Sequence, residues 1–254
     1  MAEREVLKLL ERRGIYDFKE IDRDDLLLPR TTDRRVKDAY YRLLLKYSFR
    51  LVLRDIIGHQ EGFELSDLVR YCTADVAQRY VHFLADAEMV VPLDEARYQL
   101  AKRPIRSFGA TLEWLIAEVF RRQFGADVLW GIRFSGTPHG GDYDVVAAME
   151  GVLVYVEIKS SPPKHIEQPE VTSFLERVRD LLPHVAIFFE DTELRMKDKI
   201  VPMFEAELAA PDALGGGPGA PVERLERELF HVGHRIFIIN SKQDMVTNLK
   251  TCFR

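Results

Sequence analysis

Residues 140–161, GGDYDVVAAMEGVLVYVEIKSS, combine two apolar runs with Asp142, Asp144, Glu157 and Lys159. Carboxylates with an amine beside them can hold a hard divalent cation and steer a water molecule against a phosphate. Geometry decides whether they meet. A two-residue turn at Glu150-Gly151 pairs Met149 with Val152 and sets the register of the whole hairpin. In that register Asp144 lies opposite Glu157, and Asp142 opposite Lys159. Side chains alternate along a strand, so these four groups share one face while Tyr143, Val145, Val156 and Ile158 take the other. Facing carboxylates repel, and something positive must offset them. Lys159 supplies one charge. A divalent ion fits better, because Mg²⁺ (or Mn²⁺) takes an octahedral shell of carboxylate, carbonyl and water oxygens. Asp144, Glu157 and the main-chain carbonyl of Ile158 are the expected ligands, with Lys159 placed to orient or deprotonate a water.

Other reactive residues are less well placed. His231 and His234 have ligand-like spacing but no HExxH pattern, so a zinc site there lacks its usual partners. His139 precedes the hairpin and is either a phosphate contact or a solvated loop residue. Ser160 and Ser161 follow Lys159 and either bond a phosphate oxygen or end the strand. GGGPG at 215–219 is not followed by Gly-Lys-Ser/Thr, so it is no phosphate loop. Cys72 and Cys252 are the only cysteines, which removes a disulfide framework and a four-cysteine metal site. Any metal must be held by oxygen or nitrogen.

The elements that must position the hairpin alternate in type beyond Pro104. TLEWLIAEVFRRQF is an amphipathic helix, followed by a strand near 127–133, the hairpin, a helix over 169–182 and the strand HVAIFF. A helix near 195–208 and a Gly/Pro-rich surface loop at about 209–222 come next. HRIFIINS then gives a last strand before a C-terminal helix. This order predicts an α/β fold with a mixed sheet flanked by helices. The spacing Asp-(twelve residues)-Glu-x-Lys on adjoining strands, with GGDYDVVA and VEIKSS around it, resembles the PD-(D/E)XK phosphodiesterase superfamily of restriction-endonuclease-like folds. Its Mrr-type and archaeal Holliday-junction-resolvase branches are the most similar, over about 108–190. The resemblance implies an αβββαβ core, Asp144 and Glu157 as metal ligands and Lys159 as the catalytic lysine. Tyr143 stands where the family name has proline. The family also places a glutamate on the first helix, coordinating directly or through water. Glu113 is preferred for that role over Glu118, because Glu118 has Arg121 and Arg122 three and four residues on and reads as a solvent-side ion pair.

The N-terminal part has another character. Residues 36–58 show helical spacing ending at Gly58, ELSDLVRY suits a short helix, and Thr73 caps a third. That third helix would turn Val76, Tyr80, Phe83 and Leu84 inward, and VVPLDEARYQLAKR reads as a strand pair. Three helices and a hairpin resemble a winged helix-turn-helix over 49–103, which would offer Thr73, Gln78, Arg79 and His82 to a groove. Residues 30–55 contain eight basic and three acidic side chains, so Arg34, Arg35, Arg42 and Lys46 are candidate phosphate contacts. Asp75, Asp94 and Glu95 have the wrong sign for that role, which leaves a protein-binding or dimerisation role open.

The expected domains are therefore 1–105, mainly helical and winged-helix-like, and 106–254, nuclease-like. At 254 residues, 46% hydrophobic and with net charge −5, the chain has the composition of a globular protein. No apolar run reaches the roughly 18 residues of a membrane span, and the charged start lacks a signal sequence, so a cytoplasmic location is expected. The expected activity is Mg²⁺-dependent hydrolysis of duplex or branched DNA, by a chain that acts as a homodimer or beside a protein partner. The alternatives are a non-catalytic DNA-binding or adaptor protein and an RNA-directed nuclease.

Overall fold

The computed structural model describes residues 4–209 and 220–254. Two compact units make up the chain: a first of Met1–Asp22 with Ile116–Arg254, and a second of Arg23–Leu115. The division differs from the boundary expected near 105, because the N-terminal segment joins the large sheet. In the first unit α1 (Glu5–Glu11) leads to β1 (Phe18–Glu20), which pairs antiparallel with residues 132–134. The expected Gly/Pro-rich loop lies largely outside the described residues. Among them, no helix is long and apolar enough to cross a membrane.

The second unit contains α2 (Arg34–Leu44), α3 (Tyr47–Gly58), β2 (Phe63–Glu64), α4 (Ala74–Asp86), β3 (Val90–Pro92) and β4 (Arg97–Leu100). The single helix expected over 36–58 is two, parted at Leu45-Lys46. Arg50 is why the break is stable: it is 1% exposed and donates from Nη1 to the Leu44 carbonyl at 2.7 Å, satisfying one of the carbonyls that a helix end leaves open. ELSDLVRY forms a strand end and a 3-10 turn over Leu65–Leu68 instead of a helix, with Glu64 and Asp67 capping each other's backbone. On α4 the buried face is Ala77, Tyr80, Val81 and Leu84, rotated from the expected one, so Val76 and Phe83 are only half-buried. Gln78, Arg79 and His82 are exposed, as is Asp75. The three strands run β2-β4-β3. Asp94 at the hairpin tip pairs with Arg97 at 2.6 Å, so part of the expected acidic charge is neutralised locally.

The boundary between units falls within α5 (Gly109–Phe124). The first unit continues with β5 (Asp127–Phe134), β6 (Asp142–Met149), β7 (Val152–Lys159), α6 (Gln168–Leu181), β8 (Val185–Glu190) and α7 (Ile200–Leu208). It closes with β9 (Glu223–Glu226), β10 (Leu229–Val232), β11 (Ile236–Asn240) and α8 (Met245–Thr251). Eight strands form one mixed sheet in the order β1-β5-β6-β7-β8-β11-β10-β9, parallel from β7 through β8 to β11 and antiparallel elsewhere. Strands β9 and β10 were not expected from the sequence.

The sheet is flanked by helices. Val6 and Leu10 of α1, Phe174 of α6 and Phe204 of α7 share one core with Tyr155 and Phe188 of the sheet. Strand β7 is apolar without alternation because it is covered on both sides, and Leu153 to Val156 are all fully buried. Helix α6 starts from a Glu167/Glu170 capping box with Pro169 in its first turn, which fixes where its inward stripe meets β7.

Candidate active site

The hairpin register is the expected one: Met149 pairs with Val152, and the ladder continues to Val145 opposite Val156. The ladder stops there, one residue short of Asp144 and Glu157. One Asp144 oxygen accepts from the Ile158 amide at 2.6 Å, which holds this carboxylate against the Glu157-Ile158 peptide.

The simple face alternation fails one residue earlier. Val146 and Tyr155 are ladder partners and share a face, and the Tyr143 ring lies 5.4 Å from the Tyr155 ring in the same core. Tyr143 therefore does not share the Val145 face. The β5–β6 ladder is interrupted at the same place, passing from Trp130↔Val145 to Ile132↔Tyr143 around Gly131 at φ 53. Asp144 sits at this kink. The β6–β7 ladder ends at Val145 and Val156, short of Asp142 and Lys159; on its other side Asp142 faces Arg133 of β5 and pairs with it at 2.5 Å. The isolated hairpin omits that neighbouring strand, which supplies the better partner.

Glu157 is the centre of the cluster and is 4% exposed. Its Oε1 takes Lys159 Nζ at 3.0 Å, and its Oε2 takes Arg177 Nη1 at 2.8 Å together with the Tyr155 hydroxyl. Lys159 also reaches Glu170 Oε1 at 3.0 Å. Burial works against the Lys159 charge, and the Glu157 and Glu170 carboxylates outweigh it, so the ammonium pKa lies above its ordinary value. Lys159 is thus a donor and a positive charge beside Glu157. The positive charge that the facing carboxylates require is already present in Lys159 and Arg177.

Arg177 explains the glycine just before Asp142. A Cβ on Gly141 would meet Arg177 Nη2 at 2.9 Å, and Gly141 has φ +92, a conformation that glycine adopts without strain. The guanidinium therefore has room because position 141 has no side chain. On α6 Glu170, Phe174 and Arg177 follow helical spacing, which puts them on one face; that this face meets Lys159 and Glu157 comes from the packing of the helix.

Glu190 is a second residue that the motif does not announce. It ends β8 as the ladder partner of Lys159 and of Asn240. The residue is 0% exposed, and neither carboxyl oxygen has a hydrogen-bond partner. Burial chiefly, with the Glu170 and Asp191 carboxylates adding to it and Lys199 opposing, pushes its pKa up to about 8. One charged residue immediately after the apolar run VAIFF was the available signal.

The remaining candidates separate. Glu118 binds Arg121 at 3.0 Å and Arg122 at 2.7 Å, an ion pair as expected, though its side chain is only 16% exposed. Glu113 is half-buried in the part of α5 that belongs to the second unit. His139 bonds through Nδ1 and its amide to Asp180, at 2.7 and 3.0 Å, which ties its loop to α6. Ser160 is half-buried and Ser161 exposed beyond the end of β7. The His231 and His234 rings stack at 3.9 Å, and His231 Nδ1 accepts the His234 amide at 3.2 Å, so this pair closes the β10–β11 turn.

Among the described residues no group of three or more His, Cys, Asp or Glu side chains is disposed to hold a metal ion. In donor type Asp144, Glu157 and the Ile158 carbonyl still fit a hard divalent cation. Its arrival at Glu157 would take over charge now provided by Arg177 or Lys159.

No protein-family profile matches the chain, and no protein with a curated description matches its sequence. Two solved structures are similar over much of it. Protein VC1899 from Vibrio cholerae aligns with a TM-score of 0.47 at 16% identity, over 76% of this chain and 53% of that one. Can2 from Sulfobacillus thermosulfidooxidans, in complex with cyclic tetra-adenylate, aligns with a TM-score of 0.46 at 18% identity, over 72% and 50%. The chain spans about half the length of each.

Proposed function

We propose that the chain is a metal-dependent phosphodiesterase of the PD-(D/E)XK type that cuts DNA, with the winged-helix-like second unit contacting phosphates. The observation that carries this reading is the convergence of Asp144, Glu157 and Lys159 at one end of the sheet, with Lys159 held as an ammonium. Asp144, Glu157 and the Ile158 carbonyl would hold the ion. When bound, Mg²⁺ supplies a Lewis acid for the phosphate and a water of lowered pKa. Lys159 donates to the phosphoryl oxygen on which charge develops, an electrostatic role that strengthens where water is excluded. Arg177 and Tyr155 fix the orientation of Glu157, and the Ile158 amide fixes that of Asp144.

A second reading has its own support. Both Glu157 oxygens are already engaged by the chain's own cations and hydroxyl, as they would be in a nuclease-like scaffold that binds nucleic acid without cutting it. Incubation with duplex, branched and single-stranded DNA and with RNA, in Mg²⁺, Mn²⁺ or EDTA, separates the two. Cleavage that needs the ion and is abolished in Asp144→Ala supports the first. Binding without cleavage of any substrate supports the second, and cleavage confined to RNA would move the substrate assignment.

A further inference from the structure

We infer that the cavity beside the β9–β10 turn is a second phosphate site, taking a backbone phosphate of the same nucleic-acid strand that lies at Lys159. This inference rests on the nucleic-acid reading given above. The cavity has a volume of about 290 Å³, and Arg224, Arg227 and Lys242 converge on it. None of the three forms an ion pair with a described residue, although Arg224 lies over the Phe230 ring at 5.3 Å. Such a concentration is unexpected here, since residues 111–254 hold 16 basic against 22 acidic side chains.

The acid in the lining forms no ion pair with them. Glu228 Oε2 accepts the Met196 amide at 2.9 Å and the Lys197 amide at 3.4 Å, so it is committed to the loop before α7. The opposite wall is braced. Asn248 donates to the Asn240 carbonyl at 2.8 Å and the Lys242 carbonyl at 3.0 Å, and the Lys242 amide donates to Asn240 Oδ1 at 3.1 Å. A wall ordered before binding lowers the entropic cost of taking a ligand. Guanidinium forks match phosphate oxygens in pairs, which makes a phosphate ester the ligand class that two arginines and a lysine suit best.

Register links this cavity to Lys159. Lys159, Glu190 and Asn240 are partners across β7, β8 and β11, so the Asn240 wall lies about two strand spacings, or roughly 10 Å, from Lys159 along the same end of the sheet. That span is on the scale of neighbouring phosphates of one strand, which advance by ~3.4 Å of helix axis each while also turning about it. A strand held at Lys159 thus has a later phosphate within reach of the cavity.

The test uses the full chain in EDTA, so that binding is read without cutting. Arg224→Gln, Arg227→Glu and Lys242→Glu are combined, and a control carries Arg12→Gln, Arg195→Glu and Lys250→Glu to match the change in charge. Fluorescence anisotropy is measured with a labelled dinucleotide and a labelled longer duplex, across a salt series. The expected result is about tenfold or more weaker duplex binding and a shallower salt slope in the cavity variant alone, by about 0.9 for each phosphate no longer neutralised. Dinucleotide binding should not change. Equal weakening in the control, or duplex binding like that of the unaltered chain, overturns the second phosphate site and leaves the nuclease reading standing. Tight binding of a nucleoside monophosphate that the cavity variant fails to show, with duplex binding intact, replaces the strand phosphate by a free nucleotide and also overturns it. If the unaltered chain binds no nucleic acid, both fall together.

Discussion

The charged end of the large sheet and the outer face of α2 use similar side chains to opposite ends. Around Glu157 the cations are turned inward: Lys159 and Arg177 are 18% and 17% exposed and meet carboxylates within 3.0 Å. Along α2, Arg34 is 93% exposed and lies 3.8 Å from the Asp38 carboxylate. A desolvated, fully partnered cluster fixes geometry, while solvated cations give range and on-rate but little order. On the function proposed above, the same residue type would serve chemistry in one place and affinity in the other. Substitutions should separate the two regions by orders of magnitude.

The largest effect belongs to the site. Lys159→Met should lower cleavage by at least about a hundredfold, the usual consequence of removing one donor to developing charge. The fold should persist, because Glu157 keeps Arg177 and Tyr155. A single-turnover assay beside circular dichroism reads both. Cleavage within a few-fold of the unaltered chain would remove Lys159 from the chemistry and erase the contrast.

Next comes the buried pair itself. Arg177→Ala leaves Glu157 inside with one cation fewer and should cost about 3–5 kcal/mol, as breaking a buried pair commonly does. Arg34→Ala on α2 should stay within about 0.5 kcal/mol. Denaturant titration of the two variants puts the comparison on one scale. Equal destabilisation would mean that exposure does not distinguish these regions.

Much of the first region was legible. Period two and a two-residue turn give the observed β6–β7 register from Met149 to Val145, because both are local rules. Period two then fails at Tyr143, where the break depends on Gly131 in the neighbouring strand. Arg177, Glu170 and Glu190 are distant in sequence from the motif and enter only through the packing of α6 and the parallel pairing of β8. The joining of β1 to β5 and the strands β9 and β10 were missed for the same reason: short edge strands carry weak periodicity, and their partners are far along the chain. In the second unit a composition count overstates the basic surface, since Arg50 is counted with it but lies inside.

Glu190 offers a pH-dependent way to sharpen the contrast. Its carboxyl has a pKa of about 8 in the fold, against about 4.3 in an unfolded chain. Between those values the folded state keeps a proton that the unfolded state has released, so stability is greatest below the lower value and is lost as pH rises through about 8. Glu190→Gln should remove that slope, raising the melting temperature near the upper pH and changing it little at the lower one. No such behaviour should follow a change on α2. Parallel pH profiles for Glu190→Gln and the unaltered chain would refute the raised value.

The smallest effect per residue is expected on α2, and it concerns binding. Arg34, Arg35, Arg42 and Lys46 are all exposed, so reversing them to Glu takes cations away from phosphate without opening the core. Arg50 is excluded because it holds the Leu44 carbonyl, and its removal would be read as unfolding. Each phosphate left without its cation should flatten the plot of log affinity against log salt by about 0.9 for duplex DNA. The melting temperature and the cleavage of saturating substrate should barely move, since neither depends on solvated charges that hold no buried partner. That pattern, weakened binding with intact turnover, would place affinity on α2 and chemistry at Glu157. If duplex affinity and its salt slope survive the reversal, the exposed cations serve something other than phosphate. The acidic Asp75 and Glu95 would then sit better on a surface that meets another protein.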